Sequence, residues 1–226
     1  MSRAPSVSLV RPASPADAPR IGEIHAAGML RQLGAGLGRV VPAEVSRLID
    51  SAQFASGWHE SIENPPSAKH RVLVALDGEK VVGFVAFAPV DDGARPDAEG
   101  SPTPGGPPPS GTGEATPPGR DEPLTSPEAP STSSVDAEIL ALEVDPAYPS
   151  DVQGARLLNA CADILALSGA SSMRTWAVRG DELRQHFLTE SGFAVEGLRR
   201  GYLVGDGEVV EDAWWAEIGD PAPEHS

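Results

Sequence analysis

Apolar and polar positions along this chain switch between two periods, and the switches mark its elements. Ser6 to Val10 reads as a short opening strand. Ser14, Pro15 and Asp17 form a helix-start signal, with Ser14 as N-cap and Pro15 at the first helical position. Ile21, Ile24, His25, Gly28 and Met29 follow at helical spacing, and Gly34 to Gly38 predicts a flexible break. A second helix is predicted from Pro42 to Asn64. Val45, Leu48, Ile49 and Ala52 lie on one side of it, Phe54, Trp58 and Ile62 widen the apolar face, and Pro65-Pro66 ends it.

The period then changes to two. Residues 71–76 and 81–87 flank Asp77-Gly78, which predicts a hairpin, and their nearly unbroken apolarity suits a sheet covered on both faces. A strand is predicted over 137–144, followed by a turn at 145–150 and an amphipathic helix. Its stripe is Val152, Ala155, Leu158, Cys161 and Leu165, widened by Leu157, Ile164 and Leu167 and closed by Gly169. Met173 to Val178 is a strand, Asp181 caps a helix running to Ser191 and Gly192, and 202–204 with 209–218 form a last hairpin. Alternation of strands and helices on this scale predicts an α/β layered fold with a mixed sheet.

Composition changes this picture at one place. The 44 residues 91–134 hold 11 of the 23 Pro, 7 of the 24 Gly, eight acids and two bases, with no Phe, Trp or Tyr. Such a stretch cannot bury enough apolar surface to fold, so disorder is expected. It reads either as an insertion tolerated at a hairpin tip, since closure entropy grows slowly with length, or as a partner-binding segment. The organisation is therefore 1–90 and 135–219 as two parts of one domain, with a polar tail at 220–226.

Charge and residue usage exclude several classes. The net charge is −16, and the 182 residues outside the insertion keep −10 of it, which argues against a nucleic-acid partner. A single cysteine, Cys161, excludes an internal disulfide and a Cys-rich zinc site, and the five His show no paired metal-ligand spacing. The N-terminus has no apolar signal-type segment, and the longest nearly apolar run, Val81 to Val90, is about half of the ~20 residues that span a bilayer. A soluble cytoplasmic protein with no membrane partner is expected.

Four stretches carry a resemblance by their order and spacing. They are Val10 to Asp17; the hairpin Val72 to Phe87 with Gly83-Phe84; Ile139 to Pro146 followed by a helix with Leu157-Leu158; and Asp181 to Phe193 with Phe187, Gly192 and Phe193 at its end. Together they resemble the GNAT superfamily of acyl-CoA-dependent N-acetyltransferases. The resemblance implies a GNAT-like, mixed, mostly antiparallel central sheet flanked by helices. It also implies acetyl-CoA as cosubstrate and a small-molecule or protein amine as acceptor.

The same resemblance assigns roles. The cosubstrate's pyrophosphate falls on the backbone around Ser150, Asp151, Val152, Gln153, Gly154 and Ala155, where orphan N–H groups at the positive end of a helix suit an anion. Of the family's loop pattern only Gly154 remains; Pro149 has no N–H and Asp151 is anionic, so a plain helix cap by Ser150 or Asp151 is the competing reading. Backbone N–H groups within Leu142 to Val144 would polarise the thioester carbonyl, and Asp181 stands where the family has an Asn. The family's proton-donating Tyr corresponds to Leu188, which has no proton to give. Glu143 is the candidate base or amine-orienting group and Glu138 its alternate, against the reading of a carboxylate on a solvated part of the strand.

Other residues have two readings each. His25 lines an acceptor pocket or is a satisfied core His. Trp58 is core packing or a substrate-stacking ring, and Cys161 a small buried hydrophobe. Trp214 and Trp215 put one ring on each face of the last strand; one is core, and the other suits an acceptor groove or a homodimer surface. Two functions remain open: an acyl-CoA-dependent N-acetyltransferase, or a GNAT-fold binding or regulatory module that has lost catalysis.

Overall fold

Seven strands hydrogen-bond in the order β1-β2-β3-β4-β5-β7-β6. They are β1 Ser8–Pro12, β2 Arg71–Asp77, β3 Lys80–Pro89, β4 Ala137–Val144, β5 Ser172–Val178, β6 Ala194–Val204 and β7 Gly207–Glu217. Every neighbouring pair is antiparallel except β4–β5. This computed structural model describes residues 8–90 and 135–219. The disorder expected of 91–134, the polar tail 220–226 and the start of the opening strand lie outside the described residues.

Helices cover both faces, as the apolar strands require. On one face α1 (Ala18–Leu37) and α3 (Ser51–Glu63) bury Ile21, Ile24 and Trp58 against Val74 and Phe84. On the other, α4 (Ser150–Leu167) and α5 (Glu182–Glu190) bury Leu157, Cys161, Leu165 and Leu188 against Leu73, Val85, Phe87 and Leu142. The fold class is therefore the expected one, a mixed and mostly antiparallel sheet between helical layers.

Local expectations needed correction in four places, one being the last hairpin, whose strand β6 starts at Ala194 and not at 202. The glycines at 34–38 do not break the first helix: α1 runs to Leu37 and stops at Gly38, whose φ is 61°. Gly36 is there for close approach, since a Cβ would lie 2.7 Å from Val178 and 2.8 Å from Val209. The second predicted helix is two, α2 (Ala43–Ser46) and α3, because Asp50 Oδ1 accepts the Ala52 N–H at 2.9 Å and starts a new helix there. The apolar stripe of α4 is also narrower than its spacing suggests: Leu158, Cys161 and Leu165 are buried, whereas Val152 and Leu167 are exposed.

Two irregularities shape the middle of the sheet. A register shift between Ala86 and Phe87 leaves Leu140 of β4 without a partner on β3. The parallel pairing of β4 with β5 comprises Ala137 with Met173, Glu138 with Arg174 and Ile139 with Thr175, and then ends.

Candidate functional site

Beyond Ile139 and Thr175 both central strands continue, to Val144 and Val178, without pairing to each other. The result is a cleft. Its backbone edge can be read from alternation. The Asp145 N–H donates to Val82 O at 2.8 Å, so the backbone of Asp145 and Glu143 faces β3. Leu142 and Val144 then present their N–H and C=O groups toward the cleft. The Leu142 carbonyl is met there by Arg184 of α5, which donates to it at 2.7 Å.

The turn leading from β4 to α4 is tied down. Asp145 Oδ1 accepts the Ala147 N–H at 2.9 Å, and Asp145 Oδ2 is bonded by Arg20. Lys80 lies 3.7 Å from the same oxygen and 5.2 Å from the Tyr148 ring centroid. The Gln153 N–H donates to Pro149 O at 3.2 Å, so the N–H groups of Ser150, Asp151 and Val152 precede the helix's own bonding. Pro149 occupies the N-cap position, and among the described residues no side chain caps the helix, neither that of Ser150 nor that of Asp151. Both of those residues are exposed, as is Val152, while Gln153 and Gly154 are buried and Ala155 is half-buried. Gly154 lets α4 meet Phe187, whose ring atom Cζ would lie 3.0 Å from a Cβ there.

Charged groups converge behind the β4 edge. Glu143 is only 5% exposed and its carboxylate faces α1. One oxygen is bonded by the Gln32 amide, the other lies 3.6 Å from Arg31, and the carboxylate rests against Gly28. Arg31 also pairs with Asp181 Oδ2 at 2.5 Å, and Asp181 Oδ1 accepts the Arg184 N–H at 3.2 Å, capping α5. Burial pushes the Glu143 carboxyl above its ordinary range, opposed by the Arg184 and Arg31 charges. Burial likewise lowers Arg184, opposed chiefly by Glu143.

The structure thus brings together Leu142, Glu143, Val144 and Asp181, and sets Ser150 to Ala155 at the start of the neighbouring helix. Asp181 is buried with both oxygens engaged. Sequence reasoning missed Arg31, Gln32 and Arg184. The available signal was their spacing: Arg31 and Gln32 lie one turn past Gly28, and Arg184 lies one turn before Leu188.

The remaining candidates lie elsewhere. Glu138 sits at the paired end of β4 and accepts the Trp176 Nε1–H at 3.1 Å; burial raises its carboxyl. His25 is a satisfied core residue. Its Nδ1 accepts the Trp58 Nε1–H at 3.0 Å, which places its own proton on Nε2, and burial pulls it down to about 4. Trp58 is core, as are Trp214 and Leu188, and Trp215 is half-buried on the other face of β7. Burial pushes the Cys161 thiol up to about 12, the behaviour of an inert packing residue. A cavity of about 450 Å³ lined by Lys69, Arg71, Ile164 and Leu165 also touches Asp136 and Ala137, so it lies at the opposite end of β4 from the cleft. Among the described residues, no helix is long and apolar enough to cross a membrane, and no group of three or more His, Cys, Asp or Glu could hold a metal ion.

No protein-family model matches the sequence, and no curated protein matches it. Solved structures do. The ribosomal-protein-alanine N-acetyltransferase from Brucella melitensis is similar with a TM-score of 0.58 at 15% identity, covering 93% of this chain and 99% of that one. The paia N-acetyltransferase from Thermoplasma acidophilum, in complex with coenzyme A, is similar at 0.56 and 14%, covering 93% and 98%. An acetyltransferase of the GNAT family from Streptococcus pneumoniae follows at 0.51 and 14%, covering 94% and 99%. The chain therefore has the fold of the GNAT N-acetyltransferases.

Proposed function

We propose that the protein is an acyl-CoA-dependent N-acyltransferase, with acetyl-CoA as donor and a small-molecule or protein amine as acceptor. The observation that carries this reading is the β4–β5 cleft. On one side it has a backbone edge at Leu142 and Val144 that pairs with no described strand, the Leu142 carbonyl being held by Arg184, and it starts near the first N–H groups of α4. An extended ligand with an anionic end and amide groups along its length fits such a site. The coenzyme A named with the Thermoplasma structure is a ligand of that kind.

The residues divide the work. The N–H groups of Ser150, Asp151 and Val152 hold the pyrophosphate, while Gln153, Gly154 and Ala155 seat the helix that presents them. Backbone donation from Leu142 or Val144 polarises the acyl carbonyl oxygen. Glu143, with its raised proton affinity, takes the acceptor's proton through water or orients the amine. Asp181 keeps Arg31 and the start of α5 in place. A cytoplasmic location, without nucleic-acid or membrane partners, accompanies this reading.

Thermal unfolding with acetyl-CoA and with CoA tests it. A ligand that binds the folded state raises the midpoint with concentration, and that rise is expected for both. A midpoint unmoved at millimolar acetyl-CoA would overturn the proposal. The second reading, a binding module without transfer, draws support from Glu143, whose two oxygens already face Gln32 and Arg31. Acetylation of any member of an amine panel, lost in Glu143→Gln, would exclude that module.

A further inference from the structure

Arg184 and Leu188 lie four residues apart on α5 and so share one face of it. Leu188 is wholly buried among apolar side chains and has no proton to donate. Arg184 instead reaches the cleft, where its guanidinium is fixed on the Leu142 carbonyl at 2.7 Å. A guanidinium carries five N–H donors and a charge that does not titrate near neutral pH.

The surrounding charges leave that cation underused. Asp181 is taken by Arg31 in a direct pair at 2.5 Å, and Arg31 also lies 3.6 Å from Glu143. Among the described residues no carboxylate comes within ion-pair distance of the Arg184 guanidinium; Glu143 and Asp181 attract it from farther away and Arg31 repels it. A cation so placed is ready for an anion that arises inside the cleft.

We infer that Arg184 stabilises the thiolate that departs during acyl transfer, supplying by charge and hydrogen bonding what Leu188 cannot supply by proton donation. This rests on the acyl-CoA reading above. In the step, the neutral amine nitrogen bonds to the acyl carbon and the carbon–sulfur bond breaks. Its electron pair goes to sulfur, and the amine's proton leaves to water. The sulfur stays as a thiolate against Arg184 until it takes a proton from water. The charged groups facing Arg184 are Glu143 from β4, Arg31 from α1 and Asp181 at the cap of α5 itself.

The test is the titration of the thiol of bound CoA, followed by its thiolate ultraviolet absorbance against the complex with desulfo-CoA. It is run on the full chain as wild type, Arg184→Lys and Arg184→Gln. The expected result is a thiol pKa lowered by about one unit or more in the wild type, as thiols beside a cation are, largely kept with Lys and lost with Gln. Binding of desulfo-CoA by each variant certifies an intact cleft. The same thiol pKa in wild type and Arg184→Gln overturns the inference, as does tighter CoA binding by the Gln variant with no change in thiol titration, which makes Arg184 a plug. If Arg184→Gln does not fold, a thiol in the Lys variant titrating as in free CoA overturns it equally. A wild type that binds neither CoA nor desulfo-CoA removes the acyl-CoA reading, and the inference with it.

Discussion

α1 meets the sheet with opposite chemistry at its start and its middle, and its end packs Leu33 and Leu37 in a cluster with Val178 and Val209. Its first half packs Ile21, Ile24 and His25 against α3 and β3. The His25 ring stands 4.4 Å from Phe54, 5.5 Å from Trp58 and 5.8 Å from Phe84 by ring centroids. The single polar pair in that cluster, Trp58 to His25, is neutral and mutually satisfied. The second half brings Gly28, Arg31 and Gln32 over Glu143, and through Arg31 to Asp181. There the polar groups include the carboxyls of Glu143 and Asp181 and the guanidinium of Arg31, and they border a gap in the sheet. One helix thus anchors the core at its start, while its second half carries charges beside the cleft on one side and buries Leu33 in an apolar cluster on another.

Two glycines test that division, one in each half. A Cβ on Gly22 would lie 2.5 Å from Ser51 O and 2.6 Å from Ala55 N, which are backbone atoms and cannot swing away. Gly22→Val is expected to lower stability by about 3 kcal/mol in urea unfolding, the upper range for overpacking. If it is tolerated, the first half is not the rigid anchor described here.

His25 provides the next largest effect. Its folded pKa of about 4 lies below its ordinary 6.5, so between those values the unfolded chain binds a proton that the folded chain refuses. Stability is full above the upper value and falls as pH drops through the window, by up to about 3 kcal/mol. The loss is read as the difference from His25→Phe, which has no such titration, in denaturant melts across that range. A smaller step comes from Trp58→Phe, which leaves the buried His25 Nδ1 without its donor and is expected to cost about 2 kcal/mol. Equal stability of wild type and this variant would mean that water replaces the indole.

The smallest stability effect is expected at Gly28, in the second half. A Cβ there meets the end of the Glu143 side chain, which can shift. Gly28→Ala is expected to cost about 1 kcal/mol, the loss of the Gln32 bond to Glu143 being partly offset by the helix propensity of alanine, while the proposed acetyl transfer falls. A large stability loss with unaltered transfer would reverse the division between the halves.

Much of the architecture was legible because local signals agreed with tertiary demands. The strand 137–144 begins and ends where its apolar run does, and Asp77-Gly78 turns the β2–β3 hairpin with Gly78 at φ 63°. Asp181 caps α5, and Gly192, just past its end, has a φ of 85°. The same signals misled where one residue type serves two purposes. The glycines of 34–38 serve close packing at Gly36 and a helix stop at Gly38, and composition does not separate these from flexibility. In the cleft, Glu143 stood out because it interrupts an apolar strand. Arg31, Gln32 and Arg184 did not, because a polar residue on an amphipathic helix reads as solvent-facing until the fold brings it inward. Gln32 and Glu143 are 111 residues apart, and Arg31 and Asp181 are 150 apart, distances over which no periodicity speaks.

The short β4–β5 pairing has a consequence for cooperativity. With three register pairs at that junction, the strands β1 to β4 and the strands β5 to β7 form two blocks joined along a seam. Each block has its own ladders, and α1, which touches β3 and β4 as well as β5 and β7, straps them together. Few backbone bonds cross the seam, so side chains hold it: Val85, Phe87, Ile139 and Leu142 of one block share a single buried cluster with Met173, Ala177 and Trp214 of the other. The cleft is the end of the seam where the backbone ladder has already stopped, so its width is set by that shared core and by α1 rather than by strand pairing.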